Sequence, residues 1–334
     1  MNIVTRSTMR GLLRLKLARA GTPPAEQAAP TPLPPDRIKI GAVQWTADPV
    51  GDATGWTERV EALFQAARNA HCHLLVFPEY LPLSLLGLIV PETSGAHTLT
   101  DSTIEGVLKA IAPPTYQFWL TWMAAFARKY GLTVVAGSGL YVRRGRLFNQ
   151  VVWIDARGRV LGRQAKLHPL PQEQQWGIRP GVDGLAEPSP PWGLFAMVCN
   201  DATYFETFRM ATRRGAHLIA VPIADPDSRY TEGKARRGCF SAVQDVPCIG
   251  VVSAATGRLF GMRLTGKAGI YLPAPLTPDG SGILAESSQP VGEGLVTGVV
   301  SLSRLQEYRR AHLERFPVPP SDYMDALYQN EEDH

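Results

Sequence analysis

The chain has 334 residues, with 34 Lys and Arg against 30 Asp and Glu, a net charge of +4. Its 45% hydrophobic and 19% charged content exclude a largely disordered protein. Arg6, Arg10, Arg14, Lys16 and Arg19 stand against a single acid, Glu26, in the first 35 residues, so that segment holds the whole excess and the rest is balanced. A nucleic-acid-binding body is therefore excluded. No run approaches the roughly 18 consecutive apolar residues of a membrane span, which excludes integral membrane contact.

In chain order, residues 1–36 read as a basic, Pro-rich, disordered extension, 37–327 as one large domain and 328–334 as an acidic tail. Leu12, Leu13, Leu15 and Leu17 alternate with Arg10, Arg14, Lys16 and Arg19, a composition also compatible with a short amphipathic helix, an organellar leader or a peripheral membrane contact. Six prolines between Pro23 and Pro35 then favour an extended linker. Cys72, Cys199, Cys239 and Cys248 form no CxxC pair, which points to a reducing, cytoplasmic compartment, with organelle targeting through the Arg-rich N-terminus as the alternative.

The body alternates strands and helices. Strands are predicted over Ile38–Trp45, His73–Phe77, Leu132–Ala136, Gly193–Val198, His217–Pro222 and Ile249–Ser253. Phe148–Ile154 and Val160–Lys166 read as a hairpin around Asp155–Gly158. Helices are predicted over Thr57–Ala70, Thr115–Tyr130, Glu206–Gly215 and Glu232–Gln244. The pattern is α/β with a large mixed sheet.

In such proteins reactive side chains gather beyond the carboxyl ends of strands. Three predicted strand ends carry Glu79, Lys166 and Cys199, the last followed by Asn200 and Asp201. Each has an ordinary explanation alone, as a surface ion or a buried thiol. Together they supply a nucleophile, a base to take its proton and a cation to stabilise an oxyanion, beside the Asn200 N–H.

Phe77-Pro78-Glu79-Tyr80, Lys166-Leu167-His168 and Cys199-Asn200-Asp201, in this order, resemble the nitrilase superfamily of carbon–nitrogen hydrolases. The likeness extends from Ile38–Gln44 through Gly137, Asn149, Gly158 and Gly181 to Arg214–Pro222. It implies a nitrilase-like α–β–β–α four-layer sandwich over 37–327 and a Glu–Lys–Cys triad of Glu79, Lys166 and Cys199. Glu173 matches the supporting glutamate, and Asn200, Tyr80 and Tyr204 are the substrate-contacting candidates. The resemblance further implies a small-molecule amide substrate, a homodimer or larger assembly built partly through Leu302–Leu327, and no cofactor or metal. Asn200-Asp201, where nitrilases typically have Trp-Glu, favours an amidase-like member. Nitrile hydrolysis on the same triad, and a non-catalytic binding protein on this fold, are the alternatives.

Other motifs carry less. A Cys199/His168 dyad competes with the triad, but Pro169 ends the strand that would align His168. His71-Cys72-His73 suggests a metal triplet whose neighbours would face opposite sides of a strand. Gly137-Ser138-Gly139 lacks the loop-to-helix context of a dinucleotide site. Phe118, Trp119, Trp122 and Phe126 fall at helical spacing, as core or interface residues do.

Overall fold

The computed structural model describes residues 3–30, 32, 36–89, 101–259 and 261–315. In chain order these form α1 (Ile3–Ala18), β1 (Arg37–Thr46), α2 (Ala53–Asn69), β2 (Leu74–Val76), α3 (Asp101–Tyr130), β3 (Thr133–Arg143), β4 (Arg146–Ile154) and β5 (Val160–Ala165). There follow α4 (Pro171–Gln175), β6 (Leu194–Ala196), α5 (Phe205–Arg213), β7 (Leu218–Ile223), α6 (Glu232–Ala235), α7 (Cys239–Asp245) and β8 (Ile249–Leu259). The last elements are β9 (Met262–Leu264), β10 (Gly269–Tyr271), β11 (Ile283–Glu286), β12 (Gly294–Ser301) and α8 (Leu302–Arg315). The tail at 328–334 and the segment beyond Arg315 lie outside the described residues.

The strands build two half-sheets. In one, β1, β2 and β3 run parallel and β4 and β5 follow antiparallel, while β12 covers the other side of β1 from Arg37 to Gln44. In the other, β6, β7 and β8 run parallel and β10 and β11 follow antiparallel. The halves join where Gln44, Trp45 and Thr46 pair with Ala254, Ala255 and Thr256.

Strand alternation explains the layering. On β1 and β2, Val43, Trp45, Leu75 and Phe77 face a core shared with α1, α2 and α3. Their neighbours Ile40, Ala42, Leu74 and Val76 face the opposite way, into a core shared with β6, β7, β8, α5 and α7. Near-continuous apolar strands are what burial on both faces requires. The result is the four-layer α–β–β–α sandwich. Among the described residues no helix is long and apolar enough to cross a membrane.

The sequence reading needs three corrections. First, residues 3–18 are not a disordered extension: α1 is a helix that buries Leu13 and Leu17 against the first core. Second, α3 starts at Asp101, before the expected Thr115, and passes through Pro113 and Pro114. Prolines there deprive the carbonyls of Lys109 and Ala110 of their helical donors. The guanidinium of Arg10 in α1 replaces them, donating to Lys109 O at 2.8 Å and Ala110 O at 3.0 Å. One of the basic residues of the N-terminal segment is thus a structural donor that docks α1 on α3. Third, the helix expected over Glu232–Gln244 is two short helices, α6 and α7, separated at Gly238, whose φ of +71° suits glycine.

The remaining motifs have structural places. Trp119, Trp122 and Phe126 lie in the first core with Phe118 packed against it, and Trp119 Nε1 donates to Ala136 O at 3.0 Å. Cys72 is buried, and His73 bridges elements: Lys39 N–H donates to its Nδ1 at 2.9 Å, and its Nε2 lies 3.0 Å from Pro32 O.

The docking of α1 is directly testable. Leu13 is fully buried and Leu15 is 70% exposed on the same helix. Leu13→Ala is expected to cost about 2–4 kcal/mol in denaturant unfolding, and Leu15→Ala at most about 0.5 kcal/mol. Equal effects would mean that α1 does not dock.

Candidate active site

Glu79 follows β2 at a corner shaped by β3. Phe77 N–H extends the β2–β3 pairing to Val135 O at 2.9 Å, and Pro78 ends the strand. Opposite it β3 bulges between Val135 and Ser138. Gly137 there has φ +79°, and a Cβ would collide with the Pro78 carbonyl oxygen, so the close approach demands glycine. Tyr80, itself left-handed at φ +59°, donates its N–H to Ser138 Oγ at 3.2 Å. The Glu79 side chain is thereby turned inward and buried.

Lys166 follows β5 and is pinned by its N–H to Asn149 O at 2.8 Å and by its carbonyl, which accepts from Gly181 N–H at 2.8 Å. Glu173 stands three residues into the turn that Pro171 opens. Its Oε2 accepts the Leu170 N–H at 2.6 Å, capping α4. Cys199 follows β6 and opens a short 3-10 turn, Cys199–Thr203. Its φ of +46° is a left-handed conformation that costs a non-glycine residue about 1–2 kcal/mol.

These groups converge. Lys166 Nζ lies 2.9 Å from Glu79 Oε1 and 2.7 Å from Glu173 Oε2. Glu79 also accepts from Asn149 Nδ2 at 2.8 Å through Oε1 and from Ala224 N–H at 2.9 Å through Oε2. The Tyr80 hydroxyl donates to Glu173 Oε1. The Cys199 thiol lies close enough to Glu79, Lys166 and the Ala224 N–H to feel each of them electrostatically. The structure therefore brings Glu79, Lys166, Glu173 and Cys199 into one cluster.

Burial sets the proton affinities. It pushes the Glu79 carboxyl up to about 7, against the Lys166 charge, and the Glu173 carboxylate adds to the rise. Burial and the Glu79 charge likewise hold the Cys199 thiol well above its ordinary value, although Lys166 and the Ala224 N–H favour the thiolate. For Lys166, burial opposes the charge, but Glu79, Cys199 and Glu173 outweigh it and keep the ammonium protonated. The arrangement is a neutral thiol beside a carboxylate that titrates near neutrality, with a fixed cation alongside.

Two cavities flank the cluster and share Leu170 and Pro226 as walls. The smaller, about 40 Å³, touches Glu79, Tyr80, Lys166 and Glu173, with Trp176, Leu259, Met262 and Leu264 as its apolar lining. The larger, about 320 Å³, touches Cys199 and Asn200 and extends towards α6. Tyr80 and Asn200 thus lie on cavity walls. Asn200 Nδ2, however, donates to His168 O at 2.9 Å, so that group ties the nucleophile turn to the Lys166 turn. Tyr204 lines neither cavity: its ring stacks on His168 with centroids 3.7 Å apart.

The sequence reading took Asp201 only as a motif residue. Its fully buried carboxylate accepts the N–H groups of Leu167 at 3.0 Å and His168 at 2.8 Å, and lies 3.0 Å from His168 Nδ1. It fastens Cys199 to Lys166 through the backbone, and it also engages the ring proposed for a Cys199/His168 dyad. Asn149, noted only as a family marker, positions Glu79. Its signal was the amide pair Asn149-Gln150 within the otherwise apolar strand Arg146–Ile154. The Ala224 N–H left no sequence signal. Among the described residues no three His, Cys, Asp or Glu side chains gather as metal ligands.

Residues 39–310 match the family model described as Carbon-nitrogen hydrolase. A curated relative, "Probable hydrolase YhcX" of Bacillus subtilis (strain 168), is 23% identical over 282 residues, covering 82% of this chain and 52% of the relative. The chain thus spans about half the length of that relative. Among solved structures, a carbon-nitrogen hydrolase from Helicobacter pylori G27 superposes with a TM-score of 0.67 at 19% identity, covering 87% of this chain and 98% of the other. An amidase from Nesterenkonia sp. AN1 superposes with a TM-score of 0.58 at 20% identity, covering 86% of this chain and all of the other. These two share the fold, and with the family model spanning nearly the whole body the chain belongs to the carbon–nitrogen hydrolases.

Proposed function

We propose that this hydrolase cleaves the C–N bond of a small amide through a thioester on Cys199. The observation that carries the reading is the Lys166 ammonium held between Glu79 and Glu173 beside the Cys199 thiol, at the meeting of two cavities. A related fold supports it. One mutant structure of the Nesterenkonia amidase shows covalent addition of the acetamide moiety of fluoroacetamide at its active-site cysteine, and another holds butyramide.

The proposed steps use these groups in turn. Glu79 takes the Cys199 proton as Sγ attacks the amide carbonyl carbon. Lys166 Nζ and the Asn200 N–H receive the oxyanion. Glu79 returns the proton to the nitrogen as the C–N bond breaks. Water then gives a proton to Glu79 and its oxygen to the thioester, the C–S bond breaks, and the proton returns to sulfur. Glu173 Oε2 holds Lys166 Nζ at 2.7 Å, so the cation keeps its place while Glu79 gains and loses a proton.

Cys199→Ala is expected to abolish ammonia or amine release across an amide panel, and the native protein is expected to show a covalent acyl adduct on Cys199 by mass spectrometry. Glu79→Gln is expected to lower turnover by about 10²–10⁴; turnover near the native value would overturn its assignment. Faster hydrolysis of nitriles than of amides would replace the amide reading.

The pH profile carries a second test. Glu79 must be ionised to act as base, so kcat/KM is expected to rise with pH through about 7 as its raised carboxyl loses its proton. No falling limb is expected until well above the ordinary thiol range, because Cys199 and Lys166 are both shifted upward. A plateau already reached at pH 5 would contradict the placement of Glu79.

A further inference from the structure

The two cavities divide the reacting amide between them. Glu79, which hands its proton to the leaving nitrogen, lies on the small cavity. Cys199, which bonds to the carbonyl carbon, lies on the large one. The leaving nitrogen therefore departs into about 40 Å³, room for ammonia or a water or two rather than a bulky amine. The acyl chain extends into about 320 Å³.

The wall of that larger cavity is charged. Asp225 and Asp227 lie on it, and both are occupied by Lys234 Nζ, at 2.6 and 3.0 Å. Lys267 also lies on it and is held by Glu232 at 2.7 Å and Glu286 at 3.3 Å, with Arg236 on the same two acids. Two lining cations remain, Arg229 and Arg237, whose guanidinium groups have no acidic partner among the described residues. Arg237 is tied by its chain neighbour to the turn that carries Cys199. The next residue, Gly238, packs so closely on the nucleophile turn that a Cβ there would lie 3.2 Å from Ala202 O.

Resting on the amidase reading above, we infer that the substrate is a primary amide whose acyl chain ends in a carboxylate, received by Arg237 and Arg229 on the wall of the Cys199 cavity. The reaction forms the Cys199 thioester with loss of ammonia, and water then yields a second carboxylate. The guanidinium fork suits the planar anion, which it can engage through two N–H groups. The wall acids do not oppose this anion at close range, since each already faces a lysine or arginine.

The test compares glutaric acid monoamide with pentanamide, which has the same chain length and no carboxylate, and adds the N-methyl amide of the monoamide. The native enzyme is expected to favour the monoamide in kcat/KM, with the N-methyl amide at least tenfold slower. Arg237→Gln is expected to lower the monoamide-to-pentanamide ratio about tenfold, as loss of one charge-assisted hydrogen bond would, and Arg237→Lys to restore part of it. KM for the monoamide is expected to rise with ionic strength while that for pentanamide stays flat, a measurement on the native protein alone.

Hydrolysis of pentanamide equal to or faster than that of the monoamide would overturn the carboxylate assignment, as would a ratio indifferent to Arg237→Gln and Arg229→Gln. Equal rates on the primary and N-methyl amides would overturn the partition of the cavities. Either result with active enzyme leaves the amidase reading standing. No hydrolysis of any amide would remove that reading and this inference with it.

Discussion

One buried ammonium between two buried carboxylates organises the centre of this protein. Removing three ionised groups from water costs several kcal/mol each, and attraction among them offsets this only when every remaining lone pair is also satisfied. The surrounding structure meets that condition with Asn149 Nδ2 and the Ala224 N–H on Glu79, and the Leu170 N–H and Tyr80 hydroxyl on Glu173. These donors come from β4, the end of β7, the turn before α4 and the corner after β2. The positions of one strand and three connections thus follow from keeping one lysine charged out of water. The same enclosure raises the proton affinity of Glu79 into the range where it can accept and return a proton near neutrality, so the cost of burial and the reactivity share one cause.

Much of this was legible in the sequence, for physical reasons that differ by element. Strands buried on both faces read as apolar runs, so β1, β2, β4 and β6 to β8 were visible. Glu79 and Cys199 stood out because each follows such a run and breaks its character, and Lys166 because it ends the second strand of a hairpin. What escaped notice depends on contacts distant in sequence. A helix through Pro113 and Pro114 contradicts local propensity, and only a guanidinium about one hundred residues away makes it tenable. The basic character of the first 35 residues suggested a tether, because nothing local reveals that Arg10 has carbonyls to meet. Asp201 was read as part of a motif, whereas its carboxylate closes a backbone latch to Leu167 and His168. Tyr80 was assigned to substrate, but its hydroxyl is spent on Glu173.

The latch bears on how the Cys199 thiol is presented. A left-handed cysteine at the start of a one-turn helix persists only where its neighbours over-determine it. Asp201 and Asn200, the two residues that follow it, both bind the Lys166–His168 turn, one through N–H groups and one through a carbonyl. Thiol and ammonium are therefore set relative to each other by main-chain geometry, leaving their side chains free for chemistry.

The seam between the half-sheets has a consequence for when the protein becomes reactive. Glu79, Asn149 and Lys166 belong to the half built from β1 to β5, while Cys199 and Ala224 belong to the half built from β6 to β8. Neither half contains a working set of groups. Until the two dock, Cys199 is apart from Glu79 and Lys166, and Glu79 lacks the Ala224 N–H, so a nascent or partly unfolded chain carries an ordinary thiol. On the proposed mechanism, catalytic competence is in this sense a property of assembly between two parts of one polypeptide, and it arrives only with the completed fold.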